Sequence, residues 1–216
     1  MNFLITSILK VMEIICHRGL WIKKEEQNTL NSFERAFTLG FGVETDIRDS
    51  NGELIISHDI PSGNEIKVMQ LLQAYKNSGK SSALALNIKS DGLAKLLKNL
   101  VRNENIENYF CFDMSLPDTL TYMDNLNFFT RISEYEPINN LHYYSNGFWV
   151  DNFKDGELNV DVIQDLMKTK KYICLVSPEL HGYNENSFWQ KLKEIKYDKI
   201  GICTDKPIEA NNFFND

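Results

Sequence analysis

The sequence has no excess of positive charge and no long apolar run. Its formal net charge is −7 over 216 residues. This balance disfavours a nucleic-acid partner, because binding to a phosphate backbone relies on a basic surface. No run of apolar residues approaches the roughly 20 residues that a membrane-spanning helix needs. We therefore expect no stable membrane insertion.

The N-terminal residues 1–11 are apolar but have no basic start and no small-x-small cleavage site, so they do not resemble a secretory signal peptide. We expect a cytoplasmic protein in which residues 1–11 form a lead-in segment before one domain over residues 12–216. An apolar content of 43% is sufficient for a single large core.

Cysteine is scarce as well. The four cysteines do not form a CxxC pair, and each lies inside a short apolar run, at Cys16, Cys111, Cys174 and Cys203. This pattern is more typical of buried thiols in strands than of a metal site or a disulfide framework.

Short apolar stretches with strand-like content alternate with longer stretches of helical periodicity. The clearest helical stripe is Leu93, Leu96, Leu97, Leu100 and Val101, which follows the i, i+3, i+4, i+7, i+8 spacing. The predicted strands are eight: 13–16, 41–47, 83–88, 109–112, 128–132, 147–151, 172–176 and 199–203.

This alternation predicts an α/β fold with parallel strands, and eight strands favour a (β/α)₈ TIM barrel. An open doubly wound sheet is the structural alternative, although no glycine-rich GxGxxG or GxxxxGK loop follows any strand. Two irregularities stand out. The turn signal at residues 49–52 predicts a short β-hairpin after the second strand, and residues 133–146 have no helical stripe, which predicts a short or irregular crossover.

Charged and polar residues follow the first three predicted barrel strands. In a βα barrel the carboxyl ends of the strands meet at one mouth, so these side chains should converge there. Glu44 and Asp46 are two residues apart on one strand and therefore share a face. The set comprises His17 and Arg18, then Glu44 and Asp46, then His58 and Asp59 after the hairpin, and finally Asn87 and Lys89.

The residue types indicate phosphodiester hydrolysis. Adjacent carboxylates need a cation between them, and oxygen ligands suit Mg²⁺ or Ca²⁺ better than zinc. Two histidines at separate strand ends suit general acid and general base roles, and Arg18 and Lys89 would attract an anionic small-molecule substrate. Other polar residues near strand ends or in loops, namely His142, Trp149, Asp151, Glu179 and His181, are equally compatible with wall or surface positions.

Several motifs together carry a resemblance to a known family. They are HRG at 17–19, NTL at 28–30 with Phe33 and Ala36, Gly40, Glu44-x-Asp46, Asn51-Gly52, His58-Asp59 and TDKP at 204–207. In these motifs the chain resembles the glycerophosphodiester phosphodiesterases, which are TIM-barrel phosphoric diester hydrolases that release an alcohol and glycerol 3-phosphate with a divalent metal.

The resemblance implies His17 and His58 as the acid–base pair and Arg18 as a phosphate contact. It also implies Glu44 and Asp46 as metal ligands and Lys89 as a second anion contact.

Three positions depart from the family pattern. Asn87 stands where the family has a glutamate, so the third metal ligand becomes a neutral amide that still offers a carbonyl oxygen. Gln27 replaces another carboxylate near the site. The family often has a sizeable insertion after the His-Asp pair, whereas here only IPSGN separates His58-Asp59 from the next helix, which predicts a more open mouth. The alternative function is a non-catalytic barrel that binds a phosphodiester or sugar phosphate through a degraded metal site.

Overall fold

A computed structural model of the chain describes residues 12–79 and 82–216. The expected lead-in segment at residues 1–11 lies outside the described residues. The described residues form nine strands and seven α-helices. The strands are β1 (Glu13–His17), β2 (Gly42–Ser50), β3 (Glu53–Ile56), β4 (Leu84–Ile88), β5 (Tyr109–Phe112), β6 (Phe129–Ile132), β7 (Gly147–Val150), β8 (Tyr172–Val176) and β9 (Ile200–Thr204). The helices are α1 (Leu30–Thr38), α2 (Val68–Asn77), α3 (Ala94–Asn103), α4 (Leu116–Tyr122), α5 (Val160–Met167), α6 (Asn186–Lys193) and α7 (Pro207–Asn215).

Eight of these strands form a nearly closed parallel barrel. Their order is β5-β4-β2-β1-β9-β8-β7-β6, and β3 pairs with β2 in an antiparallel manner. Within the described residues, β5 and the segment leading into β6 meet at a single bridge between Cys111 and Phe128, where the Cys111 amide donates to the Asn127 carbonyl at 2.9 Å. The predicted (β/α)₈ barrel is confirmed, and the open doubly wound sheet was the wrong alternative.

Aromatic side chains fill the barrel interior beside this incomplete seam. The rings of Phe110 and Phe129 stack with centroids 3.8 Å apart, and those of Phe112 and Trp149 stack at 3.9 Å. The same interior cluster contains smaller residues, including Ala83, Ala85 and Cys174, which leave room for these large rings.

All four cysteines are free and buried. Cys174 and Cys203 contribute to the barrel interior, whereas Cys16 and Cys111 belong to the layer between barrel and helices. Burial raises the pKa of each thiol, so the thiols remain neutral and behave as small apolar groups. The prediction of buried strand thiols is confirmed.

The helices pack their predicted apolar stripes onto the barrel. In α3, Leu97 and Val101 are buried while Leu96 is 40% exposed, at the edge of the stripe. Helix α1 is capped at its N-terminus by Thr29, whose side chain accepts from the Ser32 amide at 3.4 Å.

Helix α7 was not predicted, although Pro207 occupies the first helical position, where proline is well tolerated. None of the helices in the described ranges has the length and apolar character of a membrane span.

Both predicted irregularities are present. Ser50 pairs with Glu53 across the β2–β3 hairpin, and the turn residues Asn51 and Gly52 both have positive φ, 52° and 81°. This is the backbone that a two-residue type I′ turn requires. The crossover from β6 to β7 contains only a short 3₁₀ helix, Asn140–Tyr143, within the described residues.

Candidate active site

The carboxyl ends of the strands enclose a cavity of about 310 Å³. Six of the seven predicted site residues line it, and the seventh, Asp46, lies buried behind them. The six are His17, Arg18, Glu44, His58, Asn87 and Lys89.

A strained turn after β1 brings His17 and Arg18 to the cavity. Arg18 and Gly19 both have positive φ, 57° and 86°. In this conformation the Arg18 amide donates to the backbone oxygen of Glu44 at 3.0 Å and to its carboxylate at 3.2 Å. A Cβ on Gly19 would lie 2.9 Å from the carbonyl carbon of Ser32, so the HRG motif needs glycine here for space as well as conformation.

Glu44 and Asp46 are almost completely buried, with 2% and 1% of their surfaces exposed. Burial and then the Asp46 charge raise the pKa of Glu44 to about 7. Asp46 lies between two cations: its Oδ2 is 3.0 Å from Arg18 Nε, and its Oδ1 is 3.3 Å from Lys89 Nζ. These contacts offset the cost of burying the Asp46 charge.

Asn28 supports the Asp46 carboxylate from a third side. Its Nδ2 donates to Asp46 Oδ2 at 2.8 Å, and its Oδ1 accepts from Thr45 Oγ1 at 2.8 Å. Asn28 has a positive φ of 58°, a backbone that asparagine tolerates better than most residues. Asn28 is the first residue of the NTL motif, and its contact with Asp46 gives that position a structural role.

His17 is held by a carboxylate from the far end of the chain. Its Nδ1 lies 2.8 Å from Asp205 Oδ1, and its Nε2 lies 3.9 Å from Glu44 Oε2. Burial alone would lower the pKa of His17, but the hydrogen bond with Asp205 and the charge of Glu44 outweigh it and raise the pKa above its ordinary 6.5. The TDKP motif contains this carboxylate, but its pairing with His17 could not be read from the motif.

His58 has a more exposed setting. Its side chain is 47% exposed, and its Nδ1 lies 2.9 Å from the carboxylate of the neighbouring Asp59, which is itself 92% exposed. Arg48 Nη2 donates to the His58 carbonyl oxygen at 3.1 Å and so ties the loop to β2. The loop is anchored through its backbone, while the imidazole remains accessible to the cavity and to solvent.

The opposite wall of the cavity carries two further contacts between a basic side chain and a carboxylate. Arg131 Nε donates to Asp113 at 2.9 Å, and His181 Nε2 lies 2.6 Å from Asp151. The Phe153 ring lies between them, with its centroid 4.8 Å from that of His181. Sequence reasoning missed Arg131 and Asp113 because neither belongs to a local motif.

Of the other polar residues considered, Trp149, Asp151 and His181 line the cavity, whereas His142 and Glu179 do not. His142 is buried under the β6–β7 crossover, where its Nδ1 accepts from the Asn139 amide at 3.0 Å. Glu179 lies at the base of the loop after β8 and accepts from the Asp205 amide at 3.1 Å.

The oxygen atoms at the base of the cavity fit a hard divalent cation. Asn87 pairs with Asp46 in the β2–β4 register, and within the described residues Asn87 Oδ1 is buried without a hydrogen-bond donor. Asp46 Oδ1 is also buried, and Lys89 Nζ is its ion-pair partner at 3.3 Å. Together with Glu44, Asn87 and Asp46 form an all-oxygen set, as Mg²⁺ or Ca²⁺ prefers. The described ranges contain no cluster of three His, Cys, Asp or Glu side chains that could hold a metal, so this set depends on the Asn87 amide.

No protein-family model matches the chain, and no curated protein matches it in sequence. Solved structures do match it over 95% of its length. A glycerophosphodiester phosphodiesterase from Parabacteroides distasonis superposes with a TM-score of 0.71 at 16% identity over 98% of that chain. One from Agrobacterium tumefaciens gives 0.71 at 15% identity over 100% of that chain.

The chain has the fold of the glycerophosphodiester phosphodiesterases. The resemblance to this family is thus confirmed at the level of the fold. A phosphodiesterase from Oleispira antarctica in complex with the product sn-glycerol-3-phosphate also matches, with a TM-score of 0.70 at 14% identity over 95% of this chain and 98% of that one. A phosphoribosyl anthranilate isomerase from Thermus thermophilus shares the barrel at a TM-score of 0.55 and 9% identity, over 94% of this chain and 96% of that one. Because barrels of this kind support different reactions, the chemistry must be argued from the cavity.

Proposed function

We propose that the chain is a divalent-metal-dependent phosphodiesterase that hydrolyses a glycerophosphodiester, or a related small phosphodiester, to an alcohol and a phosphomonoester. One observation carries the proposal. On a glycerophosphodiester phosphodiesterase fold, two histidines and two cations line the same cavity as the buried oxygen set. A cavity of about 310 Å³ suits a small molecule.

Glu44, Asp46 and Asn87 would hold the metal, with Mg²⁺ or Ca²⁺ as the ion. When bound, the ion supplies polarisation of a phosphoryl oxygen and partial neutralisation of the phosphate charge. Asn87 contributes a neutral carbonyl, so the set carries two negative charges rather than three.

The cations have a second role in this proposal. Arg18 and Lys89 each contact Asp46 on one side, yet both side chains also line the cavity and are about one-fifth exposed, at 20% and 22%. We assign them to the phosphate oxygens of the substrate, since a guanidinium or ammonium group at a phosphate stabilises negative charge as the P–O bonds rearrange.

His17 and His58 would transfer the protons. One imidazole removes the proton from the attacking hydroxyl group as the new P–O bond forms. The other donates a proton to the oxygen of the alcohol that leaves as the old P–O bond breaks. Both residues line the cavity, and the side chain of His17 is less exposed than that of His58, at 19% against 47%.

The test is hydrolysis of a panel of glycerophosphodiesters and other phosphodiesters with Mg²⁺ or Ca²⁺. We expect His17→Ala and His58→Ala each to lower kcat by about 10²–10⁴-fold, the range that general acid–base groups contribute. His142→Asn is the matched control, because this histidine lies outside the cavity. Full activity in either cavity variant would contradict the proposal.

Asn87 specifically favours the alternative, a barrel that binds a phosphodiester or sugar phosphate without cleaving it. Replacing a metal-binding carboxylate by an amide is the change expected of a degraded metal site. Calorimetric titration with Mg²⁺ and Ca²⁺ separates the two functions. Divalent binding together with turnover supports the enzyme, whereas phosphate-ester binding without divalent binding supports the binding barrel.

A further inference from the structure

The two cavity histidines differ in how firmly they are held. His17 contacts Asp205 across a sequence separation of 188 residues, with both side chains largely buried, at 19% and 25% exposed. His58 contacts its own neighbour Asp59 on an exposed loop, where solvent weakens the interaction. The His17 contact therefore restricts its imidazole far more than the His58 contact does.

Asp205 is itself fixed by a half-buried carboxylate, that of Glu179. Its amide donates to Glu179 Oε1 at 3.1 Å, and Thr204 Oγ1 donates to the same oxygen. Ser177 Oγ donates to the other Glu179 oxygen, and Trp189 Nε1 donates in turn to Ser177 Oγ at 2.8 Å. Ser177 and Thr204 have no exposed surface.

These hydrogen bonds join the ends of β8 and β9 through Glu179. The connection determines where the backbone of Asp205 lies, and hence where its carboxylate meets His17. None of these groups other than His17 lines the cavity, so a role in binding substrate directly does not account for them.

We propose that Asp205 is the positioning residue for His17, and that Glu179 positions Asp205. Asp205 accepts a hydrogen bond from Nδ1–H, so the proton of the neutral imidazole stays on Nδ1 and the Nε2 lone pair is free for the cavity. Proton exchange with the substrate then occurs at Nε2, because Nδ1 is committed to Asp205.

The first experiment does not depend on catalysis. Nitrogen-15 NMR of the imidazoles distinguishes the two tautomers, and it is recorded at a pH above which the His17 signals no longer change, so that the ring is neutral. We expect the Nδ1–H tautomer for His17 in the wild type. In Asp205→Asn, which keeps the side-chain volume, the amide can donate to Nδ1 and the Nε2–H tautomer should become populated. Asp59→Asn is the matched control and should leave the His17 signals unchanged.

The kinetic experiment rests on the proposed function. We expect Asp205→Asn to lower kcat by about 10²-fold or more with KM changed less than about threefold, since positioning residues act on the step that their partner performs. In the His17→Ala background the same substitution should cause no further loss. Glu179→Gln should lower kcat by a smaller factor, about 10-fold, because it acts one hydrogen bond further away.

An Nε2–H tautomer in the wild type, or an unchanged tautomer in Asp205→Asn, would overturn the proposal. So would an equal kcat loss from Asp205→Asn with and without His17, which would indicate a general structural role. A wild type without phosphodiesterase activity would refute the proposed function alone, because the NMR experiment still decides the role of Asp205.

Discussion

Glu44→Gln provides a direct test of the electrostatics of the cavity. Glutamine has nearly the same shape, and its carbonyl can still accept from the Arg18 amide, which lies 3.2 Å from the carboxylate. What the substitution removes is a proton-binding group whose pKa burial raises from 4.5 to about 7. The variant should therefore differ from the wild type mainly in how its stability depends on pH.

Proton binding at Glu44 determines whether the free energy of unfolding rises or falls with pH. Between these two pKa values the folded state binds more protons at Glu44 than the unfolded state, so the free energy of unfolding falls as pH rises. At about 1.4 kcal/mol per pH unit, the difference from 4.5 to about 7 corresponds to roughly 3 kcal/mol. His17 adds a change of the same sign, because its pKa is also raised in the folded protein.

Carboxylates with a strongly lowered pKa, which would make stability rise with pH, titrate below the pH range in which Glu44 acts. Glu26 and Glu65 have their pKa lowered to about 2, by the hydrogen bond from Arg35 and by backbone hydrogen bonds respectively. Their contribution is present above pH 4.5 and is lost only as the pH falls towards 2. A decline in stability above about pH 5 is therefore assigned to the buried groups of the cavity.

The assay is urea denaturation with a chelator present, from about pH 5 to about pH 8. We expect the wild type to lose roughly 2–3 kcal/mol over this range and Glu44→Gln to lose clearly less. Only a reduced His17 contribution remains in the variant, because the Glu44 charge is one cause of the raised His17 pKa. Glu34→Gln, on the exposed face of α1, is the matched control and should behave like the wild type. Mg²⁺ or Ca²⁺ should restore wild-type stability at high pH, because an ion that binds only the folded state stabilises it. A wild-type stability that does not fall with pH, or an equal fall in Glu44→Gln, would refute this account.

Two further predictions concern the third ligand and the turn after β1. Asn87→Glu should strengthen divalent binding measured by calorimetry, and Asn87→Ala should weaken it. The reason is that the buried Asn87 Oδ1 is without a hydrogen-bond donor among the described residues and is available to a cation. Unchanged affinity in both variants would show that Asn87 does not bind the metal. Gly19→Ala should destabilise by about 2 kcal/mol or more in urea denaturation, whereas Gly40→Ala, which has positive φ but no atom near its Cβ, should cost about 1 kcal/mol. Equal costs for the two would show that the contact with Ser32 is unimportant.

Local patterns were sufficient to predict most of the barrel. Strand content and helical stripes depend on neighbours within a few residues, and the Asn51-Gly52 turn depends on backbone preferences alone. Helix α7 was missed because its apolar face is weak: only Pro207 and Ala210 are buried along it. The incomplete β5–β6 seam could not be predicted, since it depends on how the closing strands meet in space.

In the site, too, contacts between residues close in sequence could be predicted and contacts between distant residues could not. Glu44 and Asp46 are close in sequence and in space, so their shared face could be predicted from strand periodicity. Other contacts at the cavity join residues that are distant in sequence: Asp205 contacts His17 across 188 residues. Arg131 meets Asp113 across 18 residues, from the next strand of the barrel. Pairings of this kind depend on barrel closure and strand register, which a single sequence does not encode locally.

The β5–β6 seam has a consequence for how the barrel can move. Around the rest of the ring, backbone hydrogen bonds hold neighbouring strands at a fixed spacing, but here the described residues supply one bridge and a pair of stacked rings. Stacked rings slide at little cost, whereas hydrogen bonds must break. Phe112 and Asp113, which follow β5, and Arg131 of β6 flank the seam at the cavity. We therefore expect any change in the diameter of the barrel, and with it in the width of the entrance, to occur at this seam rather than among the hydrogen-bonded strands that carry the histidines and carboxylates.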